Sequence, residues 1–93
     1  MRRSRADWMT LADDVIVEWM LNPPGEPIKA NPAIVGVNVD YGGSYVRQRM
    51  VKLRQAGLLE YYDEDRGIYQ ITDRGRAYLA GDLDAEDLER DEE

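Results

Sequence analysis

The run from residue 44 to residue 81 leaves this chain few folds to choose from. It opens Ser44-Tyr45-Val46-Arg47-Gln48-Arg49-Met50-Val51-Lys52-Leu53-Arg54-Gln55-Ala56-Gly57. Ser44 is a helix-capping residue type, and Gly57 is a natural helix stop. Between them, Val46, Met50, Leu53 and Gly57 recur at spacings of four, three and four, which lines them along one inward stripe. Residues 58–62 and 68–71 are β-rich runs on either side of the polar turn Asp63-Glu64-Asp65-Arg66-Gly67, the pattern of a hairpin. Thr72 then caps a further helix, with Asp73 at its positive end, and Gly81 closes it after Ala80.

The helix over residues 44–56 carries four positive charges and no acid, in a chain whose net charge is -7. Residues 82–93 hold eight acids and one arginine, leaving eleven acids and eleven bases in residues 1–81. An acidic tail therefore supplies the whole net charge, and the basic helix stands out against a neutral body. Its outward arc is Ser44, Tyr45, Gln48, Lys52 and Gln55, flanked by Arg47 and Arg54 on one side and Arg49 on the other. Arginine and glutamine match the hydrogen-bonding edges of guanine and adenine. Lys52 and Arg54 suit phosphates, contacts that position a protein without specifying a sequence. Exposed cations also keep a helix face solvated, but no acid balances these, which favours duplex DNA as the partner. Tyr45 suits a phosphate contact and packing on the preceding turn equally well.

Ninety-three residues make one small domain with a modest core. No apolar run is long enough to span a bilayer and no signal-peptide pattern opens the chain, so a soluble, cytoplasmic protein is expected. There is no cysteine and no histidine, which removes disulfides, thiolate metal sites, the commonest general base and the commonest metal ligand. An enzyme is not expected, nor a metal, cofactor or small-molecule substrate. Lysine is confined to Lys29 and Lys52 against ten arginines. Taken alone, the acid excess fits a halophile cytosol and an ordinary acidic protein about equally.

Upstream, Trp8, Leu11, Ala12, Val15, Ile16 and Trp19 recur at helical spacing, predicting a first helix over about residues 6–21 with that face buried. Met9, Val17 and Met20 widen the apolar arc, which fits a core helix slightly better than a dimer contact. Asn22-Pro23-Pro24-Gly25 ends the helix. Residues 27–29 form a short extended stretch, and Asn31-Pro32 starts a short second helix over about residues 32–37. The order is helix, short strand, helix, helix, hairpin, helix. That predicts an α+β winged helix-turn-helix: a three-helix core, a β-hairpin wing and a fourth helix after the wing, whose third helix enters the major groove. The expected core is Trp8, Leu11, Val15, Trp19, Ile34, Val46, Met50, Leu53, Leu58, Ile71 and Leu79. Tyr61, Tyr62, Tyr69 and Tyr78 are read as core or core-edge residues rather than as an aromatic binding surface.

Val46-x3-Met50-x2-Leu53-x2-Ala56-Gly57-Leu58 is similar to the recognition-helix pattern of prokaryotic winged-helix regulators. Residues 71–79 resemble the segment after their wing. More narrowly, Asn38-Val39-Asp40-Tyr41, Ser44-Tyr45-Val46, Gly57-Leu58-Leu59-Glu60 and the run from Gly75 to Asp84 resemble haloarchaeal winged-helix regulators related to the repressor of a halophilic archaeal phage. The resemblance spans roughly residues 7–88. It implies a halophilic origin, a transcriptional repressor, and DNA-facing positions at Ser44, Tyr45, Arg47, Gln48 and Lys52, with Arg49 at the flank. The wing departs from the basic wings of many relatives. Asp63, Glu64 and Asp65 would repel phosphates, leaving Arg66 as its one phosphate contact.

The expected organisation is a basic N-terminal arm over residues 1–6 with Arg2, Arg3 and Arg5, a winged-helix domain over 7–81 and an acidic tail over 82–93. The arm fits a minor-groove contact and a solvated start equally well. Two-fold operators favour a homodimer. A winged helix used for protein–protein contact is the competing reading, supported by the acidic wing and tail and opposed by the charge of the third helix.

Overall fold

A computed structural model describes residues 8–83 of the chain. The arm of residues 1–6 and all but the first two residues of the tail lie outside the described residues. The element order is α1 (Leu11–Leu21), α2 (Pro32–Val39), α3 (Gly43–Gln55), β1 (Leu59–Asp63), β2 (Ile68–Ile71) and α4 (Asp73–Leu79). This is the predicted α+β winged helix.

Local chemistry sets each boundary. Asn31 accepts a hydrogen bond from the Ile34 N–H at 2.9 Å, and Pro32 fills the first helical position of α2, where its missing N–H costs nothing. The α3 helix begins at Gly43 with Gly42 as its cap, two residues before Ser44, the cap that the sequence suggests. It ends in a Schellman motif. Gly57, at φ 84°, lets the Leu58 N–H reach back to the Leu53 carbonyl at 3.0 Å, a backbone state that a side chain disfavours. Thr72 caps α4 by accepting from the Gly75 N–H at 3.0 Å. Its hydroxyl also donates to the Gly57 carbonyl at 2.6 Å, tying the end of α3 to the start of α4.

The hairpin pairs Leu59 with Ile71, Glu60 with Gln70, Tyr61 with Tyr69 and Asp63 with Ile68. The register slips between Tyr61 and Asp63, so Tyr62 is the extra residue of a bulge and points outward, 56 % exposed. Ala30 bridges to Tyr69 on the far edge of β2, which docks the extended stretch after α1 onto the wing.

Ile16, Val17 and Met20 from α1, Val35 from α2, Val46, Met50 and Leu53 from α3, Leu58, Leu59, Tyr69 and Ile71 around the hairpin, and Tyr78 from α4 make the core. Each fully buried aliphatic side chain among them contributes about 1.5–3 kcal/mol. Of the tyrosines, Tyr69 and Tyr78 are buried and Tyr61 is half-buried against the core, as expected, whereas the bulge turns Tyr62 out to solvent rather than to the core edge. Burial, then a side-chain hydrogen bond with Tyr61, pushes the Tyr69 phenol up to about 12.

The first helix corrects the sequence reading twice. It starts at Leu11 with Thr10 as its cap, rather than near residue 6. It is also rotated: Ala12, Asp13, Ile16, Val17 and Met20 face inward, Leu11 is 58 % exposed, Val15 is half-buried, and Trp8 and Trp19 only edge the core. The cause is Asp13, an acid that periodicity assigns to solvent and the fold buries completely. On α2, Val35 and Gly36 take the inward positions, so Ile34 is 51 % exposed and not part of the core. Leu79 packs against the core while half-buried.

Gly75 marks the tightest approach between elements. A Cβ there would stand 2.4 Å from the Leu58 carbonyl oxygen and 2.6 Å from Cγ1 of Ile71. Gly75→Ala is expected to destabilise the domain by about 1–3 kcal/mol through overpacking, read as a lower urea midpoint. An unchanged midpoint would mean that α4 sits further from the hairpin than described.

Candidate nucleic-acid interface

Helices α2 and α3 are joined by the turn at residues 40–42 and pack closely, leaving one long face of α3 uncovered. At 1.5 Å per residue, the thirteen residues of α3 give a rod about 20 Å long. Val46, Met50 and Leu53 hold its inner face. The outer face presents Ser44, Tyr45, Arg47, Gln48 and Gln55 as exposed residues, with Val51 and Lys52 half-buried among them. Arg47, Gln48, Val51, Lys52 and Gln55 line a single shallow depression on that face. Val51 escaped the sequence reading. Its spacing from Ser44, Gln48 and Gln55 places it on this arc and was the available signal.

Two of the four helix cations are turned away. Arg49 is only 11 % exposed and grips Asp13, with Nε 2.8 Å from Oδ1 and a terminal nitrogen 2.7 Å from Oδ2. The same terminal nitrogen donates to the Trp8 carbonyl at 2.9 Å. Asp13 also accepts from the Thr10 N–H at 3.0 Å, one half of a capping box. Hydrogen bonding to Asp13 raises the Arg49 pKa above its ordinary value against the opposing effect of burial, so the guanidinium stays charged. A bidentate pair of this kind is the strong form of an ion pair. Arg49 thus clamps α3 to the start of α1, and its charge is met inside the protein rather than offered at the flank.

Arg54 is half-buried, with its guanidinium 4.9 Å from the centre of the Tyr61 ring. It braces α3 against the wing by a cation–π contact worth about 0.5–1 kcal/mol. The sequence reading gave it to a phosphate; here its guanidinium faces the tyrosine of the hairpin. Arg47 and Lys52 remain as the outward cations of α3. Tyr45 lies 5.9 Å, ring centre to ring centre, from Tyr41 of the preceding turn and keeps 39 % of its surface exposed.

Arg47 also faces a cleft of about 590 Å³ between the start of α2, the first half of α3 and the wing. Glu64, Asp65 and Arg66 line its far wall. Arg66 is 76 % exposed and 3.5 Å from Asp63, a surface pair of little strength. The cleft therefore sets wing acids opposite a helix cation. Among the described residues no group of acids could hold a metal ion, and no helix is long and apolar enough to cross a membrane.

A trihelical core, a two-stranded wing and an uncovered second helix of a helix-turn-helix pair define a winged helix-turn-helix domain. Residues 1–91 match the winged helix-turn-helix phage repressor family, and the chain belongs to that family. It is 33 % identical over 88 residues to the repressor protein of Halobacterium phage phiH, covering 92 % of this chain and 96 % of that protein. The fold superposes on the crystal structure of the PhiH1 repressor-like protein from Haloarcula marismortui with a TM-score of 0.75 at 32 % identity, over 91 % of this chain and 92 % of that one. This company puts the chain in a halophilic archaeal setting, and family membership points to a DNA-binding regulator rather than an enzyme.

Proposed function

We propose that the chain is a sequence-specific, double-stranded DNA-binding transcriptional repressor that reads the major groove with α3. The observation that carries this reading is the outer face of α3. Ser44, Tyr45, Arg47, Gln48 and Lys52 lie together on the second helix of the pair, with no acid anywhere on that helix. Gln48, at the centre of the face, has the donor and acceptor pair that fits adenine. Arg47 serves guanine or a phosphate, Ser44 and Lys52 serve phosphates, and Val51 adds apolar surface for a thymine methyl. The acids of the wing hold it back from the phosphates, which leaves Arg66 as the wing contact. A homodimer is the assembly that a two-fold operator calls for. A protein-docking winged helix, the competing reading, gains nothing from the family.

Gln48→Ala is expected to cost about 1–3 kcal/mol on a matched duplex and to relax the base preference there. Lys52→Ala is expected to weaken all duplexes alike. Anisotropy titrations on matched and mixed-sequence duplexes separate the two. If Gln48→Ala weakened both duplexes equally, Gln48 would not be a base-reading residue.

A further inference from the structure

We propose that Glu64 and Asp65, at the tip of the wing, are specificity-determining residues: they bar the DNA backbone from the cleft between α3 and the wing, so that binding depends on the base-reading face of α3 rather than on charge. The inference rests on the reading of α3 as the DNA-facing helix. Without these two acids the cleft would suit the backbone of any sequence. Arg47 stands on its α3 wall, Arg66 stands on its wing wall, and Ser44 lines it as well. Two exposed arginines across an open cleft of about 590 Å³ make a seat for phosphates, contacts that carry no sequence information. Glu64 and Asp65 share the wing wall with Arg66 and set two negative charges against those two positive ones.

The fold fixes the acids in this place. Ala30 holds β2, its N–H donating to the Tyr69 carbonyl at 3.1 Å and its carbonyl accepting from the Tyr69 N–H at 2.9 Å. Arg54 of α3 braces β1 through Tyr61, whose ring centre lies 4.8 Å from that of Tyr69. At the tip, Asp63 accepts from the Arg66 N–H at 3.3 Å, and the Gly67 N–H closes the turn on the Glu64 carbonyl at 3.1 Å. Asp63 is therefore occupied by the turn and by the Arg66 side chain. Glu64 and Asp65 are exposed and, among the described residues, make no side-chain hydrogen bond or ion pair. The fold does not use their charges, yet holds them beside the cleft, as a repulsive element against a wrong partner requires. Acids that merely kept the turn solvated would act through net charge, and acids elsewhere on the surface would act equally.

The test compares the full chain with Glu64→Gln plus Asp65→Asn, and with Glu18→Gln plus Glu26→Gln, which removes the same two charges from exposed positions outside the cleft. Anisotropy titrations over a potassium chloride series use a mixed-sequence duplex and a duplex that the unaltered chain enriches from a random pool. The wing variant is expected to keep its melting temperature and to gain about tenfold on the mixed duplex in dilute buffer, the effect of removing two like charges near phosphates in water. It should gain less on the enriched duplex. On the mixed duplex its slope of log affinity against log salt should steepen by about 1–2, at roughly 0.9 for each phosphate newly met by an arginine. In about 1 M salt, where the screening length is only ~3 Å, the wing variant and the unaltered chain should converge. A gain matched by the Glu18 and Glu26 variant, or equal on both duplexes, would overturn the role of the wing acids and leave the α3 reading standing. If the unaltered chain bound no duplex at all, the α3 reading would fall and the role of the wing acids with it.

Discussion

Arg49→Ala is expected to destabilise the domain by about 3–5 kcal/mol, because it strands a buried carboxylate without its partner. Asp13 is fully buried and its charge is met by the guanidinium of Arg49 and the Thr10 N–H. A loss of that size is a large part of the roughly 5–15 kcal/mol that holds a small domain folded, so the variant should be partly unfolded at ambient temperature. Replacing both partners with apolar residues, as in Asp13→Leu with Arg49→Met, removes the stranded charge and is expected to restore most of the stability. Urea melts in molar salt measure both. If Arg49→Ala cost less than about 1 kcal/mol, the pair would behave as a surface ion pair and the clamp between α1 and α3 would not exist.

Arg47→Glu together with Lys52→Glu is the companion variant, with the opposite signature. Both residues lie on the outer face of α3 and neither holds the core, so the melting curve should barely move. Duplex binding should fall about 10²–10⁴-fold, from two charged contacts at roughly 1.5–3 kcal/mol each. At about 1 M salt the screening length is only ~3 Å, so direct contacts rather than long-range attraction carry this loss. Unchanged duplex binding would mean that α3 is not a DNA-contacting helix and would favour a protein-docking role.

These two variants also show where the sequence was legible. From α3 onward the local signals agree with the fold. Gly57 closes a helix, polar residues turn a hairpin, and Thr72 caps α4, each through bonds within a few residues. The stripe of Val46, Met50 and Leu53 is buried as its period requires. Two errors, the rotation of α1 and the role of Arg49, share one cause. Asp13 and Arg49 are 36 residues apart in sequence, and neither looks like an interior residue alone. Periodicity turns an unpaired acid to solvent, which pushes Leu11 inward on paper; the ion pair reverses that choice. Arg54 shows the same dependence, since its neighbour Tyr61 comes from the next element. Position on a helix face is legible locally, whereas the partner that occupies a charged side chain is a tertiary fact. That leaves Ser44, Tyr45, Arg47, Gln48 and Lys52 as the part of the expected α3 site on its outer face, and the base-reading role rests most directly on Gln48.

Base reading by α3 can be measured by selection of bound duplexes from a random pool in molar potassium chloride, run with the unaltered chain and with Arg47→Ala plus Gln48→Ala. The unaltered chain is expected to enrich a defined sequence and the double variant a relaxed one, losing preference at the positions read by those two side chains. Enrichment of no sequence by the unaltered chain, or of the same sequence by both, would contradict base reading by α3.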